Sequence, residues 1–243
     1  MSILSPQIKQ RYLIIGVPRS GSTIISQALR GHPEVSAPEG ELEVEPLCSL
    51  GLLIFTARGL DHEHQHARRA FFDALTGLNA DEHTTTLGAK CTARTPQETR
   101  SLTKTVRDHF EDFRIILVRR NDLVAQYGSL LRARKTGLWH KLERVEQSES
   151  HRIQIQMRKA MFKRQALNVM SCESVFATLQ QSHDTLALTY EDLTEDIPRV
   201  AQELFQFVGV ERVAPTWLTN QKVSPPPSEY ILNYDQMRDV ERA

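Results

Sequence analysis

At 243 residues and 27.7 kDa the chain is long enough to bury a sizeable core, and one α/β domain is the expected count. Its 30 basic and 30 acidic side chains cancel, which excludes bulk attraction to nucleic acid or to an anionic membrane; any anion site must come from locally placed cations. Cys48, Cys91 and Cys172 are odd in number and form no C-x-x-C pair, and no run approaches the ~18 apolar residues of a membrane span, so the expectation is a cytoplasmic protein.

The first predicted element organises the rest. Tyr12 to Val17 is an apolar run short enough for a buried strand, and it empties into a turn, Val17 to Thr23. A helix follows, with apolar residues at Ile24, Ile25, Ala28 and Leu29 and with Ser22 or Thr23 expected to cap its first turn. Strand, tight glycine turn and helix make a phosphate cradle, because the unpaired N–H groups of the helix start face whatever sits over the turn. Gly16 and Gly21 have the spacing of the nucleoside-triphosphate loop G-x-x-x-x-G-K-S/T, but Ser22 stands where the lysine belongs and the only cation, Arg19, lies inside the loop. The loop therefore offers a guanidinium, hydroxyls and backbone N–H groups to a terminal phosphate or sulfate ester. "PRSGST" resembles the loop of sulfotransferases that binds the 5′-phosphosulfate of 3′-phosphoadenosine 5′-phosphosulfate (PAPS), most of all in bacterial carbohydrate and Golgi-type members.

Gly31, His32 and Pro33 stop this helix, and a short strand is predicted around Val35 to Ala37. An acidic cluster follows, Glu39, Glu41, Glu43 and Glu45, which a β-α unit can return to the ligand edge of the sheet; its alternation with Leu42 and Val44 also suits a solvated edge. Leu47 to Leu78 reads as mostly helical, interrupted by "DHEHQHARR", whose His62, His64 and His66 lack the spacing of a zinc motif. Thr86 to Cys91 is a short strand delivering Lys90 near its end, and Pro96 opens a helix through about Asp108 with Leu102 and Val106 inward.

Phe113 to Val118 is a fully apolar strand ending in Arg119 and Arg120, the place where ligand-binding groups gather in open parallel sheets. Ser129 lies two turns into the next helix, where its hydroxyl can join the same anion. An ion pair from the arginines to Asp122 is the plainer alternative. "RRNDLVAQYGSLLRARKTGLW" resembles the 3′-phosphate-binding segment of PAPS-dependent sulfotransferases, most closely the bacterial trehalose sulfotransferase family, in which Arg and Ser are nine apart as Arg120 and Ser129 are here, and a "WRA…QT…W" run follows. Residues 140 to 152 are highly polar, a long helix is predicted from Ile153 to Leu179, and a last strand runs from Thr185 to Leu188. "YEDL" resembles a family run assigned to packing and capping, Ile197 to Val208 is an amphipathic helix stopped by Gly209, and the proline-rich tail is irregular until about Ser228.

The resemblance implies a P-loop-like sulfotransferase fold, an α/β domain over residues 1–243 with a central parallel sheet and helices on both faces. It implies PAPS as co-substrate with PAP as product, no metal, and a small-molecule or carbohydrate acceptor with a hydroxyl or amine group, of the kind met in natural-product chemistry. Arg19, Ser20, Gly21, Ser22 and Thr23 are then the 5′-phosphosulfate ligands, Arg120 and Ser129 hold the 3′-phosphate, Lys222 in the tail adds a phosphate contact, and Lys90, at the position of a family "GGK", assists the sulfuryl group. Glu41 is the expected base, with Glu39 as runner-up; related bacterial enzymes form dimers, which makes a homodimer the expectation. The competing readings are a kinase-like enzyme using ATP and Mg²⁺, and a non-catalytic nucleotide-binding module.

Overall fold

The computed structural model describes residues 8–37, 72, 73, 76, 77, 80–137, 153–211 and 226–242. Its centre is β1 (Gln10–Gly16), flanked in parallel by β3 (Thr86–Thr92) and β4 (Arg114–Arg119). β2 (Val35–Ser36) and β5 (Thr185–Thr189) complete a five-stranded parallel sheet in the order β2-β3-β1-β4-β5. The apolar runs predicted as strands are the inner ones, as expected for strands covered on both faces. Their register sets Gly16 opposite both Thr92 and Val118, so the loop after β1 leaves the sheet level with the ends of its neighbours.

Alternate side chains feed two cores. Leu13, Ile15, Ala89, Cys91 and Ile115 face α2 (Pro96–His109) and α4 (Lys159–Ala177), where Phe72, Phe110 and Phe113 stack. Tyr12, Ile14, Ile116 and Val118 face α1 (Ser22–Arg30) and α6 (Ile197–Val208). Neighbouring strands β1 and β3 thus send their helices to opposite faces, the arrangement that opens a ligand crevice at the carboxyl ends of the strands.

A third core lies beside the sheet. α3 (Leu123–Thr136) packs Val124, Tyr127 and Leu130 against Ile155, Met157 and Phe162 and against Tyr230, Ile231 and Met237 of a C-terminal strap built from α7 (Pro227–Tyr230) and α8 (Tyr234–Arg242). The helix expected from Ile153 begins only at Lys159. Residues 153–158 are extended instead, with Ile155 bridging Ile231 in parallel and the Asn233 side chain bonded to both the N–H and the carbonyl of Met157. The reason is legible in "IQIQM": Ile153, Ile155 and Met157 recur every second residue, which is a strand period. α5 (Tyr190–Glu195) starts with a capping box between Thr189 and Asp192, and α6 ends on Gly209 in the left-handed conformation, as predicted. The acidic cluster around Glu41, the three histidines of "DHEHQHARR", residues 140–152 and Lys222 lie outside the described residues.

One partly buried carboxylate has an oxygen without a hydrogen-bond partner among the described residues. It is Oε1 of Glu173 on α4, and burial pushes this carboxyl up to about 7, partly offset by the Arg119 charge. Because the folded value lies above the ordinary 4.5, this group favours folding at low pH and the contribution is lost as pH rises through about 7. Glu173→Gln is therefore expected to raise the thermal midpoint at pH 8 and to leave it nearly unchanged at about pH 4, read by paired melts; equal effects at both pH values would contradict the assignment.

Candidate functional site

The loop between β1 and α1 is held in an unusual shape. Arg19 has φ 69°, the left-handed region that is costly for any residue with a Cβ, and it is the only non-glycine residue with positive φ among those described. The turn tucks Ser20 inside, fully buried with its Oγ close under Gly16, and sends Arg19 outward. Arg19 Nε donates to Ser129 Oγ at 2.9 Å and Gln126 Nε2 to the Pro18 carbonyl at 3.1 Å, so α3 clamps the loop from above. Ser129 accepts this bond and keeps its own O–H to donate.

The expected serine or threonine cap is absent. The N-cap of α1 is Gly21, with φ 102°; no side chain caps the first turn, and no acidic residue lies in it. Ser22 is already helical and buried, while Thr23 Oγ1 accepts from Lys90 Nζ at 3.0 Å. Lys90 is itself only 2% exposed, delivered by β3 beneath the start of α1. The positive end of the α1 dipole therefore stands between Arg19 and Lys90 with no carboxylate of its own first turn to neutralise it.

The start of α3 is the opposite case. Asp122 accepts from the Ala125 N–H at 2.7 Å, Glu191 from those of Asn121 and Asp122, and Glu241 of the strap from that of Leu123 at 2.8 Å. Asp122 also takes the Tyr234 hydroxyl at 2.7 Å and pairs with Arg238 at 3.4 Å, so the pair to Asp122 that the sequence allowed for the strand-end arginines goes to the strap instead. An anion near this helix has to be held by side chains.

Those side chains are arginines. Arg120 lies over the Tyr190 ring, 4.1 Å from its centroid. The same ring covers Gly21, where a Cβ would meet Tyr190 Cδ2 at 3.0 Å and Leu193 Cδ1 at 3.2 Å. Tyr190 thus joins the loop to Arg120, a role its place in "YEDL" did not reveal. Arg132, 8% exposed, lies over the ring of Tyr230 at 5.3 Å. Burial pushes the Tyr230 phenol up, and the charges of Arg120, Arg132 and Arg19 pull it down against that of Asp122.

Of the residues singled out from sequence, Arg19, Gly21, Ser22, Thr23, Lys90, Arg120 and Ser129 gather at the carboxyl end of the sheet; the Ser20 hydroxyl is turned away from that surface, and Glu41, Glu39 and Lys222 lie outside the described residues. Arg132, Tyr190 and Tyr230 were not anticipated. Arg132 follows Ser129 by three, close enough on the helix for the spacing to have flagged it, but nothing local marks Tyr230, which arrives from the far end of the chain. Among the described residues no group of His, Cys, Asp and Glu is arranged to hold a metal ion, and no helix is long and apolar enough to cross a membrane. The open groove lined by Arg114, Asp184, Leu186, Glu203, Gln206 and Phe207 is at the amino ends of β4 and β5, away from these cations.

Comparison with known proteins finds counterparts for the chain and its fold. A family model described as the sulfotransferase family matches residues 12–215. A sulfotransferase from Alicyclobacillus acidocaldarius superposes with TM-score 0.52 at 15% identity, covering 96% of this chain and 94% of the other. The sulfotransferase domain of the Synechococcus PCC 7002 olefin synthase superposes with TM-score 0.53 at 14% identity, covering 100% and 98%. No curated protein matches the chain.

The loop geometry makes a paired prediction. Gly21→Ala combines positive φ with contact against Tyr190 and is expected to destabilise by about 1–3 kcal/mol. Arg19→Gly relieves the backbone but removes the bond to Ser129, so its urea-unfolding free energy should stay within about 1 kcal/mol of the parent.

Proposed function

Because the chain belongs to the sulfotransferase family, we propose that it transfers a sulfuryl group from PAPS to a hydroxyl or amine of a small-molecule or carbohydrate acceptor. The observation that carries this reading is the 2.9 Å bond from Arg19 to Ser129: the loop suited to a phosphosulfate and the helix suited to a second phosphate meet, as the two ends of one nucleotide require.

The residues fit such a ligand. The uncapped start of α1 offers backbone N–H groups around Gly21, Ser22 and Thr23 to the 5′-phosphosulfate, and Arg19 and Lys90 supply charge on either side. Arg120, steadied on Tyr190, and the Ser129 O–H take the 3′-phosphate. Ser20 contributes packing under the loop rather than its hydroxyl. In the reaction the acceptor oxygen or nitrogen attacks sulfur in line, the bond from sulfur to the 5′-phosphate oxygen breaks, and PAP departs with that electron pair. Arg19 neutralises the leaving oxygen, Lys90 the sulfuryl oxygens, and Glu41, with Glu39 as its alternate, accepts the acceptor's proton. Positioning and charge neutralisation are the main demands, as for phosphoryl transfer.

A Mg²⁺-ATP enzyme needs a carboxylate near the phosphates to hold the metal. Asp122, the acid just past β4, is engaged instead in capping α3 and in bonds to Tyr234 and Arg238, which weighs against that reading.

The test is a thermal-shift comparison of PAP, ADP and ATP with Mg²⁺. A ligand at a hundredfold excess over its Kd that binds only the native state adds about 2.7 kcal/mol, roughly 5–10 °C for a chain of this size. PAP is expected to give the largest shift, and a larger one from ATP with Mg²⁺ would overturn the proposal. Glu41→Gln should keep the PAP shift and lose most transfer of radiolabelled sulfate to an accepted alcohol or amine; undiminished transfer would remove Glu41 as the base.

A further inference from the structure

The C-terminal strap meets the cation cluster where Tyr230 lies under Arg132, and the packing there is specific. Gly128 on α3 is the seat: a Cβ on it would lie 2.4 Å from Ile231 Cδ1, so the strap can approach the helix this closely only because no side chain intervenes. Ile231 is locked there by the parallel bridge to Ile155, by Ile155 N–H donating to the Tyr230 carbonyl at 2.7 Å, and by Leu232 N–H donating to the Ile155 carbonyl at 2.9 Å. These bonds fix Tyr230, the preceding residue, which is 3% exposed and lies beneath Arg132. Arg132 follows Ser129 by three positions, one helical turn farther from the loop than the Gln126 and Ser129 contacts to Pro18 and Arg19.

We propose that Arg132 is a third guanidinium of the nucleotide site, contacting the 3′-phosphate beside Arg120, and that Tyr230, carried in by the strap, is its positioning residue. The inference rests on the donor reading above and adds to it residues from a distant part of the chain. An arginine has several rotatable bonds, and a buried aromatic face removes much of that freedom before the ligand arrives, so the fork is oriented in advance. Arg120 is treated alike by Tyr190, which makes the two arginines a matched pair, each resting on a tyrosine.

The experiment measures the affinities of PAP and AMP by calorimetry, since these differ in the 3′-phosphate alone. In the parent protein PAP should bind much more tightly than AMP. Arg132→Met and Tyr230→Leu are each expected to cut the PAP-over-AMP preference by about tenfold while AMP affinity holds, and Tyr230→Phe, which keeps the ring, should restore it. Gly128→Ala, which alters no charge, should lower the same ratio by displacing the strap. An unchanged ratio in Arg132→Met, or an equal loss for PAP and AMP, overturns the role given to Arg132. A ratio retained in Tyr230→Leu overturns positioning by Tyr230. A parent protein that does not distinguish PAP from AMP overturns the donor reading itself, and the inference falls with it.

Discussion

The arrangement of the site depends on one contact made at a conformational cost. Arg19 occupies backbone space that glycine usually fills, and the strained turn both buries Ser20 and carries the guanidinium to Ser129 on α3. A relaxed turn at this position would aim Arg19 away from Ser129. Strain of this kind persists where surrounding contacts hold it, and here Gln126 and the Tyr190 ring over Gly21 do so.

Charge placement follows from how two helix starts are finished. At α1 the glycine cap leaves the positive end of the helix without a side-chain partner, with Lys90 beneath it and Arg19 beside it. At α3 three carboxylates, from Asp122, Glu191 and Glu241, already occupy the backbone donors. The two ends of a nucleotide would therefore meet different chemistry, backbone N–H groups at one and arginine side chains at the other. A chain with no net charge thus concentrates cations at one sheet edge by local placement.

Both arginines of the second region are backed by aromatic rings, and the rings come from separate elements. Tyr190 opens α5, directly after β5, and Tyr230 belongs to the C-terminal strap, which also supplies Glu241, Tyr234 and Arg238 to the start of α3. The packing of the third core, made by α3, residues 153–157 and the strap, decides where Arg132 lies.

The elements themselves were readable residue by residue. The apolar runs ending at Gly16 and Arg119, Pro96 opening α2, Gly209 closing α6, and the placement of Arg19, Lys90 and Arg120 at or just past strand ends and of Ser129 two turns into α3 all follow from periodicity and local steric rules. The misreading of residues 153–158 came from extending a helical period over an alternating one. Local sequence determines these features because hydrogen bonding and burial within an element act over a few residues. Only the tertiary structure decided that Ser129 bonds Arg19, that Gly128 admits Ile231, and that Tyr190 and Tyr230 lie under the arginines, since each contact joins residues far apart in the chain and depends on how closely two finished elements pack.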